Sequence, residues 1–203
     1  ASDVKTPIVH YHQYDSLVRA QLDKIVLSGQ KKIALVVWFG GPATADFSCE
    51  TWMHTVCPQA GGSMPDQARQ NLIDMLSEIK TRSFEEVQIR LGYQGTADIH
   101  AWTAWNEEIY QSSRGFIFDV VQTSENALAD SNIQRFYDLG LEAMGHPHMS
   151  RSWYRRFIKQ IWAEYVANFP LDRTIGFSFN HADLAATRDS LKLFDEVGAR
   201  PPR

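Results

Sequence analysis

Short apolar stretches alternate along the chain with longer segments in which apolar residues recur every three to four positions. The short stretches are typical of β-strands, and the longer ones are typical of helices with one buried face. The predicted strands are residues 7–14, 33–39, 87–93, 115–121 and 174–179. The predicted helices span residues 16–28, 63–79, 97–113, 150–169 and 183–197.

The order of these elements predicts the fold class. Strands that alternate with helices build parallel sheets from right-handed β/α units. The strand 33–39 is apolar throughout, as expected of a strand that is covered on both faces. We therefore predict a single α/β domain over residues 1–203. It is either a TIM-barrel-like but incomplete barrel or an open doubly wound sheet, because a full barrel has eight strands and five are predicted.

Both cysteines lie in a long loop, at about residues 40–62, that is rich in small and turn-forming residues. No second pair of cysteines exists to complete a structural zinc site, so a local disulfide between Cys49 and Cys57 is predicted. Disulfides persist in oxidising compartments, and the start Ala1-Ser2-Asp3 is typical of a chain whose signal peptide has been removed. The sequence therefore predicts a periplasmic or secreted protein.

The charge and the aromatic content of the chain indicate which kinds of ligand or partner it is able to bind. The net charge is −4 at pH 7, whereas nucleic-acid binding needs clustered cations. No apolar run approaches the roughly 20 residues of a membrane-spanning helix. Neither nucleic-acid binding nor a membrane span is therefore predicted. The six Trp, seven Tyr and eleven Phe suit either a core or flat platforms beneath sugar rings.

Polar and aromatic residues follow the predicted strands at their carboxyl ends, where parallel β/α sheets form their sites. The residues selected there for ligand binding are His12, Trp38, Tyr93, Gln122, Asn126, Asn180 and His181. The two aromatic residues are expected to stack on a ligand ring, and the polar ones to hydrogen-bond its hydroxyl groups.

The stretch 118–126 reads Phe-Asp-Val-Val-Gln-Thr-Ser-Glu-Asn. It resembles the fourth strand of retaining glycoside hydrolases with a (β/α)8 barrel, where an apolar strand ends in the acid/base glutamate. The aromatic helix and strand over 153–179 are similar to the middle section of such a barrel. The resemblance implies that Glu125 transfers the proton and that the ligand is a polysaccharide or an oligosaccharide. Ser124 stands where the family has asparagine.

Glycoside cleavage requires two carboxyl groups, and Asp15, Asp119 and Asp183 are candidates for the second. The family's nucleophile, a glutamate on the seventh strand, has no counterpart among the five predicted strands. A non-catalytic carbohydrate-binding or protein-interaction module on a truncated barrel is therefore the alternative. An incomplete barrel exposes sheet edges, so we expect self-association or a partner chain that covers them.

A third hypothesis is a metal-dependent hydrolase. His10 and His12 lie on one face of the first predicted strand, because strand side chains alternate. The pair resembles the His-x-His of metal-dependent amidohydrolase barrels, with His181 as a third ligand. Two histidines alone are a signal of low specificity, so the favoured hypothesis includes no metal and no cofactor.

Overall fold

Six strands and four helices make up the part of the chain that the computed structural model describes. That part is residues 8–10, 16–42, 45, 48–49, 55–99, 101–140, 151–169 and 174–177. The strands are β1 (Ile8–His10), β2 (Lys32–Gly40), β3 (Thr55–Val56), β4 (Glu86–Gln94), β5 (Gln134–Asp138) and β6 (Thr174–Gly176). The helices are α1 (Ser16–Leu27), α2 (Asp66–Lys80), α3 (Glu107–Ala127) and α4 (Ser152–Asn168), with short 3-10 turns at Ala60–Gly62 and Gly95–Ala97.

The strands form one parallel sheet, which confirms the predicted α/β class. Their order, β1-β2-β4-β5-β6, follows the chain, and β3 is a short addition beside β2. At the centre, β2 and β4 pair from Lys32 opposite Glu86 to Gly40 opposite Gln94. A doubly wound sheet reverses its strand order at a switch point, and the described strands contain no such reversal.

The four described helices pack on one face of the central strands. The strand residues in their core cluster are Ile33, Leu35, Val37 and Phe39 of β2 and Val87, Ile89, Leu91 and Tyr93 of β4. Since strand side chains alternate between faces, these residues share one face, and Ala34, Val36 and Trp38 lie on the other. Strands in chain order with helices on one face are the arrangement of singly wound β/α units. The described part is thus consistent with parallel β/α units such as those of the predicted incomplete barrel, and the closure of a barrel stays a prediction.

The two ends of the sheet are β1 and β6, and they do not pair with each other within the described strands. The predicted covering of these edges by self-association or by a partner chain stays a prediction. Among the described residues, no helix is long and apolar enough to cross a membrane.

Several predicted elements are confirmed close to their predicted bounds. These are α1, α2, α4, β2 and β4. Residues 33–37 of β2 are almost completely buried, as a strand covered on both faces requires. The predicted helix 183–197 lies outside the described residues.

The predicted strand 115–121 is wrong, because these residues form the middle of α3. Aromatic and β-branched residues with a glycine before them favoured a strand. The buried positions instead follow the period of a helix. They are Tyr110, Ser113, Phe116, Ile117, Val120, Val121, Thr123 and Ser124.

The start of α3 also differs from the prediction. Asn106 precedes the helix, and its side-chain oxygen accepts a hydrogen bond from the Ile109 amide at 3.0 Å. Glu107 and Glu108 follow in the first turn, where carboxylates interact favourably with the helix dipole. The predicted helix 97–113 therefore begins at Glu107 and continues through the segment predicted as a strand.

Glu164 of α4 joins this helix to α3. Its Oε1 accepts hydrogen bonds from the Tyr110 hydroxyl at 2.8 Å and from Gln160 Nε2 at 3.1 Å, and its Oε2 pairs with Arg114. Burial by itself raises the pKa of Glu164, but these donors outweigh it and hold the pKa below its usual value of 4.5. The carboxylate form of Glu164 is therefore stabilised by folding.

Replacing Glu164 with glutamine is expected to cost about 1 kcal/mol of stability at neutral pH and less in acid. A carboxyl group whose pKa is lowered by folding contributes stability above its unfolded pKa, and this contribution disappears as the pH falls through the folded pKa. Urea unfolding at neutral and strongly acidic pH should therefore show the wild type and Glu164→Gln converging in acid. Glu85→Gln is the control, because Glu85 is exposed and 4.0 Å from Lys31. A difference for Glu164→Gln that does not change with pH would contradict the prediction.

Candidate functional site

The face of the sheet opposite the four described helices carries most of the polar side chains of the central strands. No helix within the described residues packs on it, and we call it the helix-free face. It consists of Lys32, Ala34, Val36, Trp38 and Gly40 of β2, Glu86, Gln88, Arg90, Gly92 and Gln94 of β4, and Gln134, Phe136 and Asp138 of β5. Sites in parallel β/α sheets form at the carboxyl ends of the strands, so the candidate site is the part from Arg90 to Gln94 and its neighbours.

Trp38 lies against Gly92 in this part of the helix-free face. The two residues are direct partners of β2 and β4. A Cβ atom at position 92 would come within 2.7 Å of Trp38 Cδ2, so a side chain there would displace the indole. Trp38 keeps part of its surface exposed. The glycine therefore lets an aromatic ring lie on the sheet and present a surface at its edge.

The loop that holds the disulfide reaches the same edge. Cys49 and Cys57 are bonded, with their Cα atoms 5.7 Å apart, which confirms the predicted pairing. Thr55 pairs with Trp38 in the sheet, and its hydroxyl donates a hydrogen bond to the side-chain oxygen of Gln94. The disulfide therefore closes the loop on itself, and the strand pairing and hydrogen bond of Thr55 hold the loop beside Trp38.

The connections that follow β2 and β4 also contact each other. The Thr96 hydroxyl donates to the Pro42 carbonyl oxygen at 2.7 Å. A Cβ atom at Gly41 would approach the Ala97 nitrogen to 2.8 Å, so this contact needs a residue without a side chain. The connection that follows β2 is therefore packed closely against the connection that follows β4 at this edge of the sheet.

Arg90 and Asp138 form an ion pair across β4 and β5. Arg90 Nε lies 3.1 Å from Asp138 Oδ2, and the two side chains are 23% and 2% exposed. The Gly140 amide donates to Asp138 Oδ1 at 3.1 Å. Asp138 is therefore a buried carboxylate that orients the Arg90 guanidinium. The sequence analysis selected neither residue.

Glu125, the predicted proton-transfer residue, lies elsewhere. It is in the last turn of α3 and not at the end of a strand, so the structural premise of its catalytic role is wrong. Its Oε1 accepts a hydrogen bond from the Tyr137 hydroxyl at 2.6 Å and lies 3.7 Å from Arg135 Nε. Burial and the bond to Glu125 raise the pKa of Tyr137. These contacts join the end of α3 to the helix-covered face of β5.

Asp119, a candidate for the second carboxyl group, joins α3 to the start of α2. Arg69 forms a two-pronged ion pair with it, in which Nη2 lies 2.6 Å from Oδ2. The same Oδ2 accepts a hydrogen bond from the Met64 amide at 2.7 Å. The carboxylate of Asp119 is thus engaged in helix packing, away from the helix-free face.

Three predicted ligand-binding residues lie away from the candidate site. Tyr93 is in the core, where its ring centroid is 5.0 Å from that of Phe39 and its hydroxyl donates to the Leu139 carbonyl. Burial is the main cause that raises the pKa of Tyr93. Gln122 and Asn126 are exposed on α3 and bond to each other at 3.0 Å. Of the predicted ligand-binding residues that the structure describes, Trp38 is the one at the edge of the helix-free face.

Several predicted residues lie outside the described part of the chain. They are His12, Asp15, Asn180, His181 and Asp183. The described residues contain no group of three or more His, Cys, Asp or Glu side chains that could hold a metal ion. The roles predicted for these five undescribed residues, from His12 to Asp183, stay predictions.

Two concave regions lie away from the candidate site. One of about 750 Å³ is on the exposed side of α4, lined by Ser152, Arg155, Arg156, Lys159 and Gln160. The other, of about 580 Å³, is at the amino ends of β2, β4 and β5, and Lys32, Glu86 and Gln134 are in its lining. We place the site at the carboxyl edge instead, because an aromatic surface, two packed connections and an oriented ion pair converge there.

Comparison with known proteins supplies no assignment. No protein-family model matches the chain, and no curated protein matches its sequence.

Proposed function

We propose that the protein recognises a polysaccharide or oligosaccharide at the carboxyl edge of its helix-free face. The observation that carries the proposal is the partly exposed Trp38, held over Gly92 among polar side chains. Sugar rings have apolar C–H faces and a rim of hydroxyl groups. They therefore bind where an aromatic ring stands beside a few oriented hydrogen-bonding groups.

Gln94 supplies one such group beside Trp38. Its side-chain oxygen accepts the Thr55 hydroxyl, which orients the amide. Within the described residues, the amide nitrogen of Gln94 makes no hydrogen bond to another protein group, so it is able to donate to a sugar hydroxyl. A ligand ring on Trp38 would thus meet an aromatic surface and an oriented donor.

The single-wound β/α architecture is compatible with the glycoside-hydrolase resemblance, but hydrolysis makes a further demand. It needs two carboxyl groups about 5–9.5 Å apart. In the described part of the candidate site the carboxylate is Asp138, which Arg90 and Gly140 already engage. We therefore assign recognition to the described residues. A periplasmic or secreted location suits this proposal, because disulfides persist there.

Trp38→Ala is expected to weaken oligosaccharide binding about tenfold or more, since it removes the stacking surface. Trp38→Phe keeps a ring and should retain most of the affinity. The measurement is isothermal titration calorimetry with a panel of oligosaccharides. Trp105→Ala is the matched control, because Trp105 is also partly exposed but stacks on Arg156 beside α4. Equal affinities of the wild type and Trp38→Ala would refute the proposal, as would a panel in which no oligosaccharide binds.

Hydrolysis is tested separately by the release of reducing ends from bound oligosaccharides. The structure gives Glu125 a packing role, so any such activity should persist in Glu125→Gln that is folded by circular dichroism. Activity that is lost in Glu125→Gln while sugar binding is kept would restore the catalytic role of Glu125.

A further inference from the structure

The two terminal nitrogen atoms of Arg90 make no hydrogen bond to any described residue. Its Nε bonds to Asp138 at 3.1 Å, and within the described residues Nη1 and Nη2 have no acceptor. The side chain is 23% exposed, and its terminal nitrogens are not among the buried polar atoms that lack a partner, so they are accessible to solvent and to a ligand.

Two other arginines of this protein, the partly buried Arg69 and the buried Arg135, use their terminal nitrogens within the fold. Both Nη atoms of Arg69 contact Asp119, and Nη1 also contacts Thr123 at 3.1 Å. Arg135 donates from Nη1 to the Ile133 carbonyl and from Nη2 to the Leu128 carbonyl. These arginines fasten elements to each other. Arg90 is bonded through Nε, as Arg114 is to Glu164, and within the described residues its planar pair of terminal donors is available to a ligand at the carboxyl edge of the sheet.

The position of Arg90 relates it to the proposed sugar platform. Gly92, which Trp38 covers, is two residues further along β4 on the same face. Two residues of a strand span about 6.6 Å, so a sugar residue stacked on Trp38 places its substituents near Arg90. The two Nη atoms form a flat fork that matches the two oxygens of a carboxylate. A hydrogen bond with an ionised donor or acceptor is roughly twice as strong as a neutral one, and a bidentate pair of arginine with a carboxylate adds a second bond and geometric specificity.

We propose that Arg90 binds a carboxylate of the ligand, so that the saccharide recognised at this edge is an acidic one built with uronic acid residues. This inference rests on the proposed function. Asp138 does not oppose it, because its carboxylate is 2% exposed and is compensated by Arg90 Nε and the Gly140 amide. Asp138 is a positioning residue that holds the guanidinium while the ligand contacts the other side.

The test uses oligouronides and the same oligosaccharides after reduction of their carboxyl groups to alcohols. Calorimetry should show the acidic forms binding the wild type at least tenfold more tightly than the reduced forms, with a gap that narrows as salt is added. Arg90→Lys keeps the charge and a partner for Asp138 but lacks the fork, and it should lose most of this preference. Arg90→Gln/Asp138→Asn removes both charges together, which avoids a buried unpaired carboxylate, and it should bind both forms equally. Arg156→Gln, on α4, should behave as the wild type.

Different results would contradict the acidic specificity, the role of Arg90 or the proposed function itself. Reduced forms that bind the wild type as tightly as acidic forms, through Trp38, would overturn the acidic specificity and leave the proposed function standing. A preference for acidic forms that survives in both Arg90 variants would overturn the role of Arg90. Failure of every oligosaccharide to bind would overturn the proposed function together with this inference.

Discussion

Replacing Gly62 with alanine is expected to lower the free energy of unfolding by about 3 kcal/mol or more. Gly62 has φ +89°, a conformation that alanine adopts only with strain. Its Cβ would also lie inside van der Waals distance of the Ser112 carbonyl and 3.0 Å from the Phe116 amide nitrogen. These atoms belong to the backbone of α3, so the clash is relieved only if the helix moves. Chemical denaturation monitored by circular dichroism measures the loss.

Gly61→Ala is the matched control for this substitution. Gly61 has φ +78°, and a Cβ built there meets no atom within 4 Å. For Gly61→Ala the free energy of unfolding should therefore fall by about 1–2 kcal/mol, which is the cost of the left-handed conformation alone. Equal losses at the two positions would show that the close approach of Gly62 to α3 contributes nothing to stability.

Removing the disulfide with Cys49→Ser/Cys57→Ser is expected to cost about 2.5 kcal/mol, from the entropy of closing a short loop. We also expect weaker oligosaccharide binding, because Thr55 lies in this loop and pairs with Trp38. A loop fixed before the ligand arrives lowers the ordering cost of binding. Calorimetry and thermal unfolding of the wild type with and without reductant, and of the double variant, make the measurement.

Thr55→Val separates the two effects of the loop. It keeps the disulfide and removes the hydrogen bond to Gln94, so it should weaken binding while the melting temperature changes little. If the double serine variant melts earlier but binds as tightly as the wild type, the loop has no role in recognition.

The elements that were predictable are those whose pattern is local and long. In β2, a run of apolar residues matches its burial on both faces, and in α4 the aromatic residues recur with the helical period. The disulfide was predictable because the chain has one pair of cysteines. In α3, by contrast, the segment 115–121 satisfies both strand composition and helical spacing. The packing of its buried side against neighbouring elements selects the helix.

The strand β5 was missed because two of its five residues are charged. Arg135 is buried through the carbonyls of Leu128 and Ile133, and Asp138 through Arg90. These partners are not evident from a local pattern, so the strand did not resemble an apolar one. The ion pair of the candidate site was missed for the same reason.

Side-chain parity could have corrected one prediction. Tyr93 has the same parity as Val87, Ile89 and Leu91, so alternation already places it with the core of β4. Trp38 has the opposite parity to Val37 and Phe39, which places it on the other face. The position of a residue along a strand shows whether it lies at the carboxyl edge of the sheet. Its odd or even place in the strand shows on which face of the sheet its side chain lies.

The order of the strands has a consequence for how the protein is made. Each main strand pairs with the one that precedes it in this order, β1 with β2, β2 with β4, β4 with β5, and β5 with β6. Every pairing therefore closes a loop of about one β/α unit, which keeps the contact order low for a parallel sheet. Since a chain leaves the ribosome from its amino end, the sheet is able to grow in the direction of synthesis, one strand at a time, without waiting for a distant partner.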